Sequence, residues 1–332
     1  MRLLEIADKI CKNNYDLGAW FRLEHLPLGR VNQTFKVTAG TGDFVLQRLH
    51  PVFGPGPAVV QNVDSVAKSL AKAGYTSSQV VPAMSGQPWV EAEGIWRLMT
   101  WLPGRTITER GMTIGMEAAQ TLALFHQALV RYPPDLHVLP PAGYNRVVRS
   151  SALDWEDIID RFEADPKMPQ VIDALNLGQT LADQSLSCRA STRAVVHGDP
   201  KLENIIFSEA DQAVGLIDLD TVREGHLVWD LADGLRSWAA EHGDNGRIIW
   251  NKDIYQAAVD SYRRHGPGLT LEELNALPWF VRAITLNLAR RYLEDYFLEA
   301  YFTWDQARYS SLAEQNRQRG LALIDLAGTM AT

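Results

Sequence analysis

Apolar and polar positions in the first third of the chain predict a hairpin, then a helix, then further antiparallel strands. In the predicted helices, apolar residues recur every three or four positions, as they do on one buried face. In the predicted strands, the apolar residues form short runs that are rich in β-branched and aromatic side chains. A Gly-containing turn separates the first two strands. The predicted elements are helices at 3–13 and 59–73 and strands at 30–37, 44–49, 80–82, 88–90 and 96–101.

The pattern changes at Leu102-Pro103-Gly104, where helix- and strand-breaking residues interrupt the apolar run. A long amphipathic helix is predicted over 113–130, with shorter helical segments after it. Beyond a set of short strands near residue 200, the remainder is predicted mainly as helix. We therefore expect an α+β chain with an N-terminal nucleotide-binding domain at 1–101 and a C-terminal catalytic and acceptor-binding domain at 102–332.

Composition and charge narrow the class of protein. The 332 residues are 46% hydrophobic and 22% charged, as in ordinary globular proteins, and the formal net charge is -8. Such an acidic chain lacks the basic surface that nucleic-acid binding requires. Cys11 and Cys188 provide neither a disulfide framework nor a metal cluster, and no apolar run approaches the length of a membrane span. Residues 1–14 lack the features of a signal peptide. We expect a cytoplasmic protein without nucleic-acid or membrane partners.

The most informative segment is a polar loop between two apolar runs. The loop is His197-Gly198-Asp199-Pro200-Lys201-Leu202-Glu203-Asn204, and a later apolar run ends at Asp218. This order is the one that phosphoryl transfer from ATP uses. Asp199 would accept the proton of the attacking hydroxyl, and Asn204 and Asp218 would hold Mg²⁺. His197 is expected to brace the loop by hydrogen bonding. Taken singly, Asp, Gly, Pro and Asn are also common turn residues, so the prediction rests on their combination.

These residues resemble the aminoglycoside phosphotransferase and choline kinase superfamily. His197-Gly198-Asp199 with Asn204, and Gly198 where protein kinases carry Arg, match its catalytic loop. Ile217-Asp218-Leu219-Asp220-Thr221 matches its metal-binding segment. The segments at 45–48, 217–222, 229–236 and 291–296 look most like the N-acetylhexosamine 1-kinase branch. The resemblance implies a bilobal, protein-kinase-like fold with a small antiparallel-sheet N-lobe and a mainly helical C-lobe, and it implies ATP and Mg²⁺ as cofactors.

The sequence offers few signals for the nucleotide itself. There is no P-loop signature, and only Gly29 stands where kinases fold a Gly-rich loop over the phosphates. A plain hairpin turn is the alternative interpretation of this segment. Adenine is expected to dock against the backbone around Met99, Thr100 and Trp101, although a Trp at this point is also a common core residue.

The strand at 44–49 departs from the kinase pattern because it ends without the Lys that binds the phosphates. Gln47 and Arg48 follow instead, and strand alternation places them on opposite faces. We predict that Gln47 takes the Lys position and pairs with Asn62 of the following helix, as two neutral amides in place of an ion pair. The alternative is that both amides are exposed to solvent.

The acceptor site is predicted near a helix that carries Arg291 with Tyr292 and Tyr296 close by. A guanidinium donates to hydroxyl groups, and aromatic rings cover the apolar face of a sugar. In the hexosamine-kinase branch, the equivalent of Arg291 looks like a sugar contact. The alternative is a structural Arg291–Asp295 pair along the helix.

Three further residues follow from the resemblance. Arg30 stands where the branch carries a His that looks like a sugar contact, which adds charge and puts the identity of the sugar in doubt. Asp220 is expected to contact the metal shell or the substrate. Asp230 resembles the acid that hydrogen-bonds the catalytic loop, and we assign it a structural role.

Together these features predict a kinase that transfers the γ-phosphate of ATP to a hydroxyl of a small molecule, with a sugar such as an N-acetylhexosamine as the favoured acceptor. The alternatives are a choline, ethanolamine, homoserine or aminoglycoside kinase. A cationic acceptor would need an acid-rich pocket, which Arg30 and Arg291 oppose. A catalytically silent nucleotide-binding regulator is a further alternative, and its support is the missing Lys. No activation segment of the protein-kinase type follows Asp218.

Overall fold

The structure is a computed structural model that describes residues 2–26, 32–137, 154–185, 189–242 and 247–330. Its helices are α1 (Arg2–Asn14), α2 (Gly56–Lys72), α3 (Met112–Arg131), α4 (Glu156–Phe162), α5 (Ile172–Ser185), α6 (Leu227–Trp238), α7 (Lys252–His265), α8 (Leu271–Leu298) and α9 (Leu312–Thr329). Its strands are β1 (Phe21–Leu26), β2 (Gln33–Ala39), β3 (Gly42–Arg48), β4 (Val80–Val81), β5 (Val90–Glu91), β6 (Ile95–Thr100), β7 (Arg193–Val196), β8 (Ile205–Phe207), β9 (Ala213–Leu216), β10 (Arg223–His226), β11 (Ala240–His242) and β12 (Ile248–Trp250).

The N-terminal part is an antiparallel sheet in the order β1-β2-β3-β6-β4, with β5 also pairing with β6. Alternate side chains of β3 and β6 point to opposite faces. Leu46 and Leu98 are fully buried in a cluster with residues of α1 on one face. Gln47 and Arg97 are paired in register and belong to the alternate set. They therefore point toward the helical part of the chain, where the site described below lies.

The C-terminal part is mainly helical and surrounds two short hairpin pairings. α3 packs on α7, and α8 packs on α6 and α9. Their apolar faces form one large buried cluster, which also receives Val63, Val66 and Leu70 from α2. β7 pairs with β10, and β8 pairs with β9, both antiparallel. These four strands position the polar loop that the sequence analysis singled out.

The predicted fold class is confirmed, since an antiparallel-sheet N-terminal region precedes a mostly helical remainder. The helices predicted at 59–73 and 113–130 are α2 and α3, within a few residues at each end. β1 was not delimited from the sequence, and the segments near 80 and 90 form strands of only two residues. The predicted domain boundary after residue 101 falls in the connection between β6 and α3, and the division itself stays a prediction.

Two further observations concern the sequence expectations. Among the described helices, none is both long and apolar enough to cross a membrane. Cys11 is buried in α1, and burial raises the pKa of its thiol to about 12, which makes it an inert core residue. Cys188 lies outside the described residues.

Glu273 fixes the start of α8 to the strand that leads into the polar loop. It forms a capping box with Thr270, and its carboxylate also accepts hydrogen bonds from the backbone N–H groups of Ser191 and Thr192, each at 2.8 Å. The Thr192 hydroxyl donates to the same carboxylate at 2.6 Å. Burial alone would raise the pKa of Glu273, but these hydrogen bonds outweigh it and lower the pKa to about 2.

We expect Glu273→Gln to lower the free energy of unfolding at pH 7 by about 1–3 kcal/mol, because buried N–H donors lose acceptors. The folded pKa lies below the usual value near 4.5, so this stabilisation is complete above pH 4.5 and is lost as the pH falls toward 2. Denaturant unfolding should therefore separate wild type from variant at pH 7 and bring them together near pH 2. Glu272→Gln, on the exposed side of the same turn, is the matched control. An equal gap at both pH values would contradict this account.

Candidate active site

The polar loop connects β7 to β8 and includes a short 3-10 helix at Leu202–Asn204. Because β8 pairs with β9, the residues that follow β9 return beside the loop. The Ile217 N–H donates to the Asn204 carbonyl oxygen at 2.9 Å. Asp218 follows directly, so the second hairpin brings the two predicted metal ligands to the same place.

His197 braces this loop, as predicted. Its Nδ1 accepts the Asp199 N–H at 3.3 Å, so the proton must lie on Nε2, which donates to the Ile217 carbonyl oxygen at 2.9 Å. Burial lowers the pKa of His197, which keeps the ring neutral. The imidazole therefore ties the loop to the segment that carries Asp218 and does not act as an acid or base.

Asp230, near the start of α6, holds the loop from the other side. Its carboxylate accepts the N–H of His197 at 2.8 Å and the N–H of Gly198 at 2.7 Å. His126 of α3 is 2.9 Å from the same carboxylate, and its other ring nitrogen is 2.7 Å from the Tyr262 hydroxyl. Burial alone would raise the pKa of Asp230, but the hydrogen bond from His126, the nearby imidazoles and the loop N–H lower it. The structural role predicted for Asp230 is confirmed.

Gly198 has a φ of +88°, and the space beside it is filled. An added Cβ would lie 2.6 Å from the Thr221 carbonyl oxygen and still closer to Nη1 of Arg223. A side chain is therefore excluded here by both the backbone conformation and the contact. Asp218 also adopts a left-handed conformation, with a φ of 65°. Such a conformation is uncommon for a non-glycine residue and is often found at functional sites.

Asp199 is buried and forms an ion pair with Lys201, two residues along the loop. The Asn204 amide nitrogen donates to the Asp199 backbone oxygen at 2.9 Å and to its carboxylate at 3.2 Å, which leaves the amide oxygen as the group for a cation. Burial alone would lower the pKa of Lys201, but Asp199 and Asp218 raise it, so the ammonium group stays charged between the two acids.

The predicted metal ligands fit a divalent cation by their chemistry. Burial, and after it the charge of Asp220, raises the pKa of Asp218 to about 6. A carboxylate in this situation is stabilised by a cation. No group of three His, Cys, Asp or Glu residues suited to a metal occurs in the described parts of the chain. Mg²⁺ does not require one, because it is usually bound by one or two protein oxygens together with phosphates.

The predicted Gln47–Asn62 pair is wrong. Gln47 Oε1 accepts from Nε and Nη2 of Arg97 at 3.1 and 2.7 Å, whereas Asn62 exchanges two hydrogen bonds with the backbone of His137. The prediction was wrong because it placed the partner of Gln47 on the following helix, as in other kinases. The actual partner, Arg97, lies on the neighbouring strand β6. Arg48 donates to the Glu93 carbonyl oxygen at the β5–β6 turn, on the opposite face.

Asp220 was expected to contact the metal shell or the substrate, but its carboxylate is engaged inside the protein. Its side chain is fully buried, with Oδ1 2.5 Å from Nη1 of Arg97 and Oδ2 accepting from Asn32 at 2.7 Å. The contact with Arg97 is an ion pair whose atoms are not aligned as a hydrogen bond. With both oxygens occupied, Asp220 is not available to an acceptor. It joins the N-terminal sheet to the segment that carries Asp218.

The predicted adenine contacts lie at the end of β6. Met99 is buried in the main core, and Trp101 is half-buried under the ammonium group of Lys36. The N–H groups of Thr100 and Trp101 already donate within the chain, at 2.9 and 3.0 Å. The end of β6 therefore offers adenine neither of these two donors. Gly29 and Arg30 lie outside the described residues.

Arg291 lies where the sequence predicted, on the wall of a cavity that also contains Asp199. The cavity has a volume of about 290 Å³ and is partly open. The Arg291 guanidinium lies over the Tyr301 ring, at 4.8 Å from its centre. The alternative Arg291–Asp295 pair is not formed. Asp295 instead accepts hydrogen bonds from three backbone N–H groups after α8 and from Asn316.

Sequence reasoning missed three residues of this site. Lys201 stands two positions after Asp199, and a Lys inside an acidic catalytic loop was its signal. Arg97 interrupts the apolar run Trp96-Arg97-Leu98, which marks a buried charge. His126 occupies a position on the apolar face of α3, where a polar residue needs a buried partner.

We expect Arg97→Met and Asp220→Leu each to cost about 3–5 kcal/mol of unfolding free energy, since each leaves a buried charge without its partner. The double variant should cost clearly less than the sum of the two. The same denaturant cycle on the exposed Arg105–Asp211 pair should give a coupling of about 0–1 kcal/mol. Additive losses for Arg97 and Asp220 would show that the pair is not coupled.

Comparison with known proteins identifies the family and the fold of the chain. Residues 22–264 match the model of the phosphotransferase enzyme family called APH. An amicoumacin kinase solved with AMP-PNP, Ca²⁺ and its ligand is 15% identical, with a TM-score of 0.64 and coverage of 96% of this chain and 92% of that chain. A microcompartment-associated aminopropanol kinase is 18% identical, with a TM-score of 0.63 and coverage of 98% and 96%.

A spectinomycin phosphotransferase, solved with ADP and spectinomycin, has a TM-score of 0.64 at 9% identity, with 98% of each chain covered. At these identities the solved structures establish the fold, and the family match covers most of the chain. The chain belongs to the phosphotransferase enzyme family.

Proposed function

We propose that this protein transfers the γ-phosphate of ATP, with Mg²⁺, to a hydroxyl of a small, sugar-sized acceptor. One observation carries the proposal: Asp199 lies on the wall of a cavity, its carboxylate is contacted by Lys201 and Asn204, and Lys201 also lies near Asp218. A base facing an acceptor space and cation-binding groups facing a phosphate space are the two halves of a kinase site.

In the proposed reaction, the acceptor hydroxyl attacks the γ-phosphorus as the bond to the bridging oxygen of ADP breaks. Asp199 orients the hydroxyl and accepts its proton, so that the products are a phosphate ester and ADP. Lys201 places a positive charge beside the transferring group. Asn204 and Asp218 would hold Mg²⁺, which supplies positive charge to the phosphate oxygens when bound.

The strand pair that lacks the usual Lys carries a positive charge in its interior instead. Arg97 occupies the register opposite Gln47, but it is fully buried and pairs with Asp220. Its charge acts on Asp218 through the low-dielectric interior and helps to lower its pKa against the effect of burial. Turnover is favoured over a silent regulatory role by the loop itself, where Lys201 pairs with Asp199, Asn204 donates to the Asp199 carboxylate, and Lys201 also lies near Asp218.

The acceptor space favours a sugar over a cationic amine. The cavity is lined by four acids and four arginines, namely Arg193, Arg223, Arg236 and Arg291. Each of the four acids already has a partner within the chain, which leaves none of them to bind the cationic group of choline, ethanolamine or an aminoglycoside. The volume of about 290 Å³ is at the lower end for ligand pockets, which suits a single sugar ring. Within this proposal Arg291 donates to acceptor hydroxyls. An N-acetylhexosamine is the acceptor that the sequence resemblance suggests.

The proposal is tested by measuring ADP release with Mg-ATP against a panel of sugars, sugar acids and amino alcohols. A sugar-type substrate should stimulate ADP release above the rate with ATP alone. If only amino alcohols or aminoglycosides do so, the acceptor assignment is wrong, although the enzyme class stands.

With that acceptor, Asp199→Asn should reduce turnover by roughly 10²–10⁴, because the hydroxyl loses its proton acceptor. Nucleotide binding and thermal unfolding should remain close to wild type. Glu203→Gln, an exposed acid of the same loop, is the matched control and should retain full turnover. Near-normal ADP release from Asp199→Asn would remove it as the base.

Asp218→Ala should weaken Mg²⁺-dependent binding of ATP far more than binding of adenosine, since the carboxylate acts through the metal. Isothermal calorimetry of both ligands, with and without Mg²⁺, measures this difference. Asp211→Ala, at an exposed turn, serves as the control. Equal losses for ATP and adenosine would show that Asp218 does not hold the metal.

A further inference from the structure

The cavity beside Asp199 is lined by four arginines and four acids, but the arginines are not equally paired. Arg236 and Asp233 form an ion pair at 2.7 Å. Arg193 and Glu224 lie 3.8 Å apart at the exposed rim. These two pairs neutralise half of the arginines internally and leave little charge for a ligand.

The two remaining acids of the cavity are also engaged by the chain. Asp230 accepts the two loop N–H groups and the contact from His126, and Asp199 pairs with Lys201. Neither carboxylate is therefore offered to a cation in the acceptor space. The electrostatic character of the cavity depends on its other two arginines.

Arg223 is the clearer of these two. It is half-buried at the start of β10, and its Nη1 donates to the Thr221 carbonyl oxygen at 3.1 Å. No carboxylate of the described residues lies within 4.0 Å of its guanidinium. The close approach to Gly198 fixes this group directly beside the loop that carries Asp199. A partly buried guanidinium with only a neutral partner has unused capacity for an anion.

Asn287 gives a second, independent observation. It lies in α8, one turn before Arg291, and both side chains line the cavity. Asn287 is only 6% exposed, and its carboxamide makes no hydrogen bond to another group in the described parts of the chain. It is not among the buried side-chain atoms that are closed off without a partner, so the amide borders the open space of the cavity. A carboxamide that is open to a cavity can donate to and accept from a polar ligand.

We propose that the acceptor is a sugar-sized polyol that carries an ionised acid group, a carboxylate or a phosphate, bound by Arg223. Asn287 then pairs with a hydroxyl or an acid oxygen of the same molecule. This inference rests on the proposed function and narrows its sugar-sized acceptor to an acidic one, in place of the neutral N-acetylhexosamine that the sequence resemblance suggests. A neutral sugar would fill the same volume, but it would leave the Arg223 charge without a counter-ion inside the cavity.

The test uses acceptor pairs that differ only in the acid group. Glucuronate against glucose and galacturonate against galactose test the carboxylate, and glucose 6-phosphate and galactose 6-phosphate test the phosphate. We expect at least one acidic member to exceed its neutral partner by tenfold or more in kcat/KM. The acid group of the preferred acceptor then shows whether the site binds a carboxylate or a phosphate.

Arg223→Met should abolish this preference mainly by raising the KM of the acidic acceptor, with little change in the KM of ATP. Arg223→Lys should retain part of it, because the charge remains while the guanidinium geometry is lost. Arg263→Met, a surface arginine of α7, is the matched control. Thermal unfolding of each variant shows that the fold is intact.

Preference for neutral members, or an unchanged preference in Arg223→Met, would overturn the inference while leaving the sugar kinase in place. If no member of any pair stimulates ADP release or raises the melting temperature, both the inference and the proposed acceptor class fail.

Discussion

The arrangement of the site depends on the carboxylate of Asp230. It is buried, and it holds two consecutive N–H groups of the loop together with the imidazole of His126. Removing an acceptor of this kind would leave several buried donors without partners, at a cost of about 1–3 kcal/mol each. The carboxylate thereby fixes the direction in which the loop leaves β7. Asp199 faces the cavity because the two preceding N–H groups face Asp230.

A second constraint joins the two parts of the chain. Arg97 of the sheet and Asp220 of the segment that carries Asp218 form a buried ion pair, supported by Gln47 and Asn32. In other kinases a Lys at the position of Gln47 serves the nucleotide directly. Here the positive charge lies one strand further away and acts on the position of the segment that carries Asp218. The N-terminal sheet and the segment that carries Asp218 are therefore linked through the protein interior.

The sequence predicted the parts of the fold and site that depend on local order. The loop from His197 to Asn204 and the acid at Asp218 were identified because their spacing is set by a short hairpin, which a sequence shows directly. The Gln47 partner could not be identified in this way. Its partner Arg97 lies on a neighbouring strand, 50 positions along the chain, and nothing in the local sequence indicates this pairing. The prediction therefore placed the partner of Gln47 on the following helix, by analogy with other kinases, and was wrong. The burial of Asp220 against Arg97 could not be predicted for the same reason, since it depends on how the sheet meets the helical part. The position of Arg291 on the cavity wall follows from the helical face that its neighbours on α8 define, and its role toward the acceptor stays a prediction.

The Arg97–Asp220 pair also constrains how this chain can change over time. Restoring the usual Lys by Gln47→Lys would place an ammonium group against the guanidinium of Arg97, which Gln47 now contacts at 2.7 Å. Replacing Arg97 first would leave Asp220 charged and unpaired in the interior. Each single step toward the common kinase arrangement therefore passes through a less stable protein. Once this pair has arisen in a lineage, single substitutions that remove it are therefore disfavoured. Related sequences with an Arg at the position of Arg97 should carry an acid at the position of Asp220 and no Lys at the position of Gln47.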